Sequence, residues 1–152
     1  MIGIADTGLL VAFINRADKH HEWAVKLVEQ ITEPLLTCES VLSEFVFHTD
    51  AQYAFELLRL GLVTLSFDCN NHLPQLEALA TRYADRRPDF ADLCLIRMSE
   101  LFPKHPLITV DREGENSIVV ASGANANLQI DDIKTALPTI ADAGIVLLQL
   151  EI

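Results

Sequence analysis

The strongest constraint on this chain is an alternation. Short β-type runs, "IGIAD" (2–6), "PLLT" (34–37), "LVTLSF" (62–67) and "PLITVD" (106–111), are separated by stretches with helical spacing. Parallel strands cannot be joined by a tight turn. They need a crossover of a dozen or more residues, usually a helix. The alternation therefore predicts an α/β three-layer sandwich on a mainly parallel sheet. The helical runs are "GLLVAFIN", "HEWAVKLVEQI", "SVLSEFVFHT" after Ser40 and "AQYAFELLRLG" ended by Gly61. "LPQLEALATRYA" (73–84) opens with Pro74 in its first turn, and "PDFADLCLIRMSELF" runs from Pro88 to Pro103. Beyond them come "NSIVVAS" as a strand, "GANANLQ" as a turn, "IDDIKTALPTIADA" as a helix and "IVLLQLEI" as a last strand. Pro138 falls inside that helix and should kink or split it. No internal repeat or low-complexity linker interrupts the pattern, so residues 1–152 read as a single domain.

Sites in open α/β sheets lie beyond the carboxyl ends of the strands. Asp6 ends the first run and Asp111 ends "PLITVD". Glu44 falls in the first turns of a helix that follows a strand. Asp92 falls in the first turn of "FADLCLIRM", with Asp89 one turn earlier, so the two are expected on one helical face. Two carboxylates about 5 Å apart repel by roughly 3 kcal/mol at an effective dielectric near 20. Four in one cleft would need protons or cations. Hard divalent ions with oxygen ligands remove the conflict, and Mg²⁺ or Mn²⁺ is the usual occupant. Such a site suits an in-line phosphodiester displacement. Acids at strand ends and helix starts are also ordinary caps and dipole partners, so position leaves both readings open.

Charge narrows the partners. The formal net charge of −11 argues against a broadly basic nucleic-acid binder. It leaves room for a nuclease whose acids hold metal and whose local arginines meet phosphate, with Arg82, Arg86, Arg87, Arg97 and Arg112 as candidates. No apolar run reaches membrane-span length, and the opening "MIGIADTGLL" lacks the basic start of a signal peptide. Cys38, Cys69 and Cys94 show no zinc or C-x-x-C spacing and read as small buried residues of a reduced cytoplasmic protein. His20 and His21 read as capping or surface residues at a helix start, and Trp23 as packing. "GANA" (123–126) is a turn without the spacing of a phosphate loop, and Asp131 and Asp132 suit N-capping.

Four segments together resemble PIN-domain proteins. "IADTGLLVAFINRADKHHEWA" is similar to the family's opening, a first strand ending in Asp, a small polar residue and an apolar helix. "LLTCESVLSEFV" resembles the second motif through Glu44. "DRRPDFADLCLIRMSE" resembles the third through Asp92, with Asp89 as companion. "LITVDRE" resembles the fourth, a Thr-x-Asp ending on Asp111. The resemblance covers residues 1 to about 112 and implies a Mg²⁺- or Mn²⁺-dependent endoribonuclease. Asp6, Glu44, Asp92 and Asp111 would be its metal-site and catalytic acids. Thr7, Asp89 and Thr109 would support them, and Arg86, Arg87 and Arg112 would meet RNA. Small stand-alone members are commonly VapC-like toxins, which often act as homodimers. A partner antitoxin inhibits them by inserting residues into the acidic cleft.

Past "TVDR" the pattern departs. Glu113 supplies the acid that usually follows, but Gly114 stands where the family carries an aromatic. Residues from about 113 to 152 resemble instead an internal segment of ribokinase-like sugar kinases, which run through a similar "GEN…GAN" stretch to a "LLQLE" strand. The catalytic and nucleotide-binding parts of those kinases have no counterpart here, so no kinase activity is implied. The expectation is a chimera, a PIN-like body joined to a strand–helix–strand piece packed on the same sheet. The ending on "LLQLEI" reads as a cut fragment. The exposed edge of an added strand also offers a route to a homodimer. Two other functions stay open. One is a catalytically inert scaffold whose C-terminal replacement abolishes activity. The other, weaker, is an antitoxin-type or sugar-binding role for the C-terminal piece.

Overall fold

A computed structural model of the chain describes residues 2–110 and the backbone of residues 116–119. All of them belong to one compact unit, Met1–Ala121. In chain order the elements are β1 (Ile4–Ala5), α1 (Thr7–Ile14), α2 (His21–Val28), β2 (Leu35–Thr37), α3 (Glu39–His48) and α4 (Ala51–Arg59). They continue with β3 (Val63–Leu65), a 3-10 turn (Cys69–His72), α5 (Leu73–Arg82), α6 (Phe90–Leu101), β4 (Leu107–Val110) and β5 (Asn116–Val119).

The sheet order is β3-β2-β1-β4-β5. Three pairings are parallel, with Ile4 beside Leu36, Ile4 and Ala5 beside Leu107 and Ile108, and Leu35 to Thr37 beside Val63 to Leu65. The chain first steps outward from β1 to β2 to β3 and then returns across β1 to β4. Right-handed crossovers then put α1 to α4 on one face and α5 and α6 on the other. The expected α/β architecture with a mainly parallel sheet is the one found. The direction of winding reverses between β1 and β4, and such a switch point opens a crevice at the carboxyl ends of the strands.

Covered on both faces, the parallel strands carry apolar residues almost without a break. Ile4, Ala5, Leu35 and Ile108 are fully enclosed, and Leu9, Ala12, Val41, Phe45, Cys94 and Met98 pack around them from α1, α3 and α6. The helix ends follow local chemistry. Asp50 caps α4 by accepting from the Gln52 backbone N–H at 2.9 Å. Beyond α4, Gly61 adopts φ +68°, the left-handed conformation that glycine enters without a Cβ penalty.

Several boundaries differ from the sequence expectation. Asp6 is not the last residue of β1 but the N-cap of α1. Helix α3 begins at Glu39 rather than after Ser40, with extended Cys38 at the cap position. The buried Thr37 hydroxyl, donating to the Ala5 carbonyl at 3.3 Å, pins the end of β2 and so fixes where α3 starts. Asp89 does not share a helical face with Asp92. It is the N-cap of α6, because its extended backbone leaves its carboxylate free to turn onto the first turn of the helix.

The run "NSIVVAS" does hold a strand. Over Asn116–Val119 it pairs antiparallel with β4 at the sheet edge, Asn116 beside Val110 and Val119 beside Leu107. The turn at 123–126, the helix expected to break at Pro138 and the strand "IVLLQLEI" lie outside the described residues.

Candidate active site

The site begins with the first turn of α1. Asp6 turns its carboxylate back to accept from the Thr7 backbone N–H at 2.6 Å. This satisfies one of the free donors at the helix start. Gly8 lets α1 press onto the end of β4. A Cβ there would sit 2.8 Å from the Val110 carbonyl oxygen and 3.2 Å from the Val110 Cβ. The close approach brings Asp6 beside Thr109 and Val110.

The Thr7 hydroxyl reaches across to α3. It donates to Glu44 Oε2 at 2.8 Å, with the Val41 carbonyl as a longer alternative at 3.3 Å. A hydroxyl carries one proton, and the shorter contact to a carboxylate is the stronger. From α6 comes Asp92, fixed by a reciprocal cap. Its backbone N–H donates to Asp89 Oδ1 at 2.8 Å, and the Asp89 N–H donates to Asp92 Oδ2 at 3.2 Å.

These groups meet in one cleft of about 750 Å³ lined by Asp6, Thr7, Gly8, Val11, Asp18, Glu44, Phe47, His48, Asp89, Asp92, Thr109 and Val110. It lies at the switch point between β1 and β4. A neighbouring groove of about 370 Å³ shares Asp6, Asp92 and Thr109 and carries Tyr83, Arg86 and Pro88. Burial pushes the Asp6 carboxyl up to about 6. The Thr7 N–H pulls the other way, and the Asp92, Glu44 and Asp89 carboxylates add to the rise.

Of the residues singled out from sequence, Asp6, Glu44, Asp92, Thr7, Asp89 and Thr109 come together here. Asp111 lies outside the described residues. Arg86 lines the neighbouring groove. Arg87 lines neither and holds φ +50°, a left-handed backbone that a side chain rarely adopts. Arg97 is committed to its own helix, with Nη1 donating to Glu100 Oε2 at 2.7 Å. Arg112 is outside the described residues. His20 N-caps α2 without a side-chain cap bond. The His21 Nδ1 meets the Ala12 carbonyl at 2.9 Å, and neither histidine lines the cleft.

Sequence reasoning missed Gly8, Asp18, Phe47 and His48 in the cleft wall. The i+3 and i+4 spacing from Glu44 on α3 was the available signal for Phe47 and His48. Asp18 sits in the turn before α2, where its Oδ1 accepts from the His20 N–H at 2.8 Å, and no periodicity governs that direction.

The donor chemistry fits a hard divalent ion, since every acid in the wall offers oxygen alone and burial, with the neighbouring carboxylates, already opposes the charge of Asp6. Among the described residues, however, no three His, Cys, Asp or Glu side chains form a closed metal-holding group. The fit is therefore one of donor type and charge.

Fold and cleft define a class, a doubly wound α/β domain with a carboxylate-lined crevice where its winding reverses. The chain belongs to the PIN domain family, whose model matches residues 4–113. PIN domains are generally nucleases that act on RNA, and they generally use divalent metal ions. No curated protein is significantly similar to the chain. Among the described residues no helix is long and apolar enough to cross a membrane.

Proposed function

We propose that this protein is a divalent-metal-dependent endoribonuclease, a VapC-like toxin of a toxin–antitoxin pair working in the cytoplasm. One observation carries the reading most. Asp6, Glu44 and Asp92 arrive from three elements at one crevice, and their mutual repulsion helps to raise the Asp6 carboxyl. Asp6, Glu44, Asp92 and Asp111 would hold Mg²⁺ or Mn²⁺. An ion there would supply activated water and charge neutralisation for an in-line phosphodiester displacement. Thr7 orients Glu44 by its hydroxyl, and Asp89 holds Asp92 through the cap. Thr109 lines both the cleft and the adjoining groove. Among the described arginines Arg86, in the adjoining groove, is the one placed to meet a phosphate, with Arg87 and Arg112 as further contacts. An antitoxin chain would cover the cleft, and a second copy of this chain would complete a homodimer. Residues 113–152 would be the ribokinase-like piece of a chimera.

The direct test is cleavage of an RNA substrate with Mn²⁺. Asp6→Asn and Asp92→Asn are expected to abolish it while keeping the far-UV and near-UV circular dichroism of the parent. Full activity in EDTA, or unchanged rates in both variants, would defeat the proposal. A folded parent that neither binds Mn²⁺ nor cleaves RNA would instead mark an inert scaffold.

A further inference from the structure

Phe47 is an exposed aromatic with no evident role in the fold. Among the described residues it is the most open of the large apolar side chains left in water, at 86% exposure. Leu60, Phe55 and Tyr53 are also exposed, but they do not line the acid cleft; Phe47 does. It stands on α3 three residues after Glu44, so the two project from the same side of the helix. Its ring meets the His48 ring edge-on, with centroids 5.3 Å apart and planes at 86°. That neighbour limits how the ring can swing while leaving it open to the cleft.

A phenyl ring in a carboxylate-lined cleft has little to offer a phosphate. Its face carries negative quadrupolar charge, and it has no donor. What it can bind is another flat, weakly polar face. Every nucleobase presents one, and aromatic stacking is the common way proteins hold an unpaired base. The geometry orders the strand. Side chains three apart on a helix have Cβ atoms on the order of 5–6 Å apart. A phosphate lying at Glu44 and Asp6 would therefore have a base of its own or an adjacent nucleotide within reach of Phe47. On the other side, the groove that shares Asp6 and Asp92 leads to Arg86, which suits the next phosphate. Val11 adds apolar surface to the cleft wall.

We propose that Phe47 stacks on a nucleobase beside the scissile phosphate, an inference that rests on the ribonuclease reading. Phe47 is thus a substrate-positioning residue, and the strand must present that base free of its own stack. A docked protein would also cover an exposed phenylalanine. A nucleobase is favoured because Phe47 stands one helical turn from Glu44, within reach of the nucleotide whose phosphate would lie at the acids.

The test uses the full chain, Mn²⁺ and an RNA oligonucleotide with one cleavage position. Phe47→Ala is expected to lower kcat/KM by about 5- to 150-fold, mostly through KM, while Phe47→Trp restores it and Phe55→Ala leaves it unchanged. Removing the contacted base should slow the parent by the same factor and slow Phe47→Ala no further. A Phe47→Ala enzyme with parental kcat/KM overturns the inference, even if it loses affinity for a protein partner. So does an equal deficit on intact and abasic RNA. A parent that cleaves no RNA with Mn²⁺ overturns the ribonuclease reading itself, which separates the two failures.

Discussion

At Asp6 the fold holds a carboxylate where burial and three other carboxylates oppose its charge. Its folded pKa of about 6 lies above the ordinary 3.8. The folded state thus binds this proton more tightly than the unfolded chain does. The favourable contribution is full below about 3.8 and is lost as the pH rises through about 6. Two pH units correspond to at most about 3 kcal/mol. Asp6→Asn keeps an oxygen for the Thr7 N–H and carries no charge to lose. Without metal, the variant should gain stability over the parent as the pH rises from 4 to 6, levelling at about 1–3 kcal/mol. Urea denaturation in EDTA across that range checks it, and a parallel pair of curves would contradict the burial argument. Gly8→Ala should act in the opposite direction. Its methyl meets backbone at 2.8 Å, which cannot turn aside, and a loss of about 1–3 kcal/mol is expected. Asp6 was legible in the sequence because it follows an apolar run and precedes an apolar helix. Gly8 was not, because only the packed structure shows how close β4 comes.

Helix α6 joins the stability of an element to the placement of a site residue. Asp89 and Asp92 cap it reciprocally, so the carboxylate facing the cleft is fixed by the same bonds that start the helix. Asp89→Ala is expected to cost about 1 kcal/mol of stability and to lower the cleavage rate by more than that loss explains. Asp89→Asn keeps the acceptor and should recover most of both. Thermal melts and initial rates on the same preparations would separate the two effects. The same helix carries Cys94 into a group of thiols, with its Sγ 3.7 Å from the Cys69 Sγ and 3.8 Å from the Ser40 hydroxyl. Burial pushes the Cys94 thiol up to about 12 and raises that of Cys38 as well. Alkylation of the native protein at pH 8 should therefore mark half-buried Cys69 first, with Cys38 and Cys94 reacting only on unfolding. Burial of Cys38 and Cys94 agrees with the sequence reading. The approach of Cys94 to Cys69 and to Ser40 was not legible, because these partners, 25 and 54 positions away, meet it here only through the return of the chain to the centre of the sheet.

Across the whole domain, charge sets the problem that a cation would solve. The chain carries a formal net charge of −11, and five of its acids, Asp6, Asp18, Glu44, Asp89 and Asp92, line the crevice where the winding of the sheet reverses. The alternation of runs made this architecture legible in advance, since parallel strands joined by helices have few arrangements open to them. The strand lengths depended on packing instead; Glu44 was found because it is an acid at a helix start, whereas Phe47, one turn further on the same helix, carries no charge to mark it as part of the site. If the acids hold metal, the ion binds the folded protein and not the unfolded chain, so it must stabilise. At a Mn²⁺ concentration about 100 times the dissociation constant the gain is about 2.7 kcal/mol. For a domain of this size that is a rise in Tm of about 5–10 °C. The rise should be larger at pH 7.5 than at pH 5, because below about 6 a proton occupies Asp6 and competes with the ion. It should shrink in Asp6→Asn and in Asp92→Asn, and EDTA should reverse it. A Tm that Mn²⁺ does not move at pH 7.5 would mean that these carboxylates share a crevice without sharing an ion.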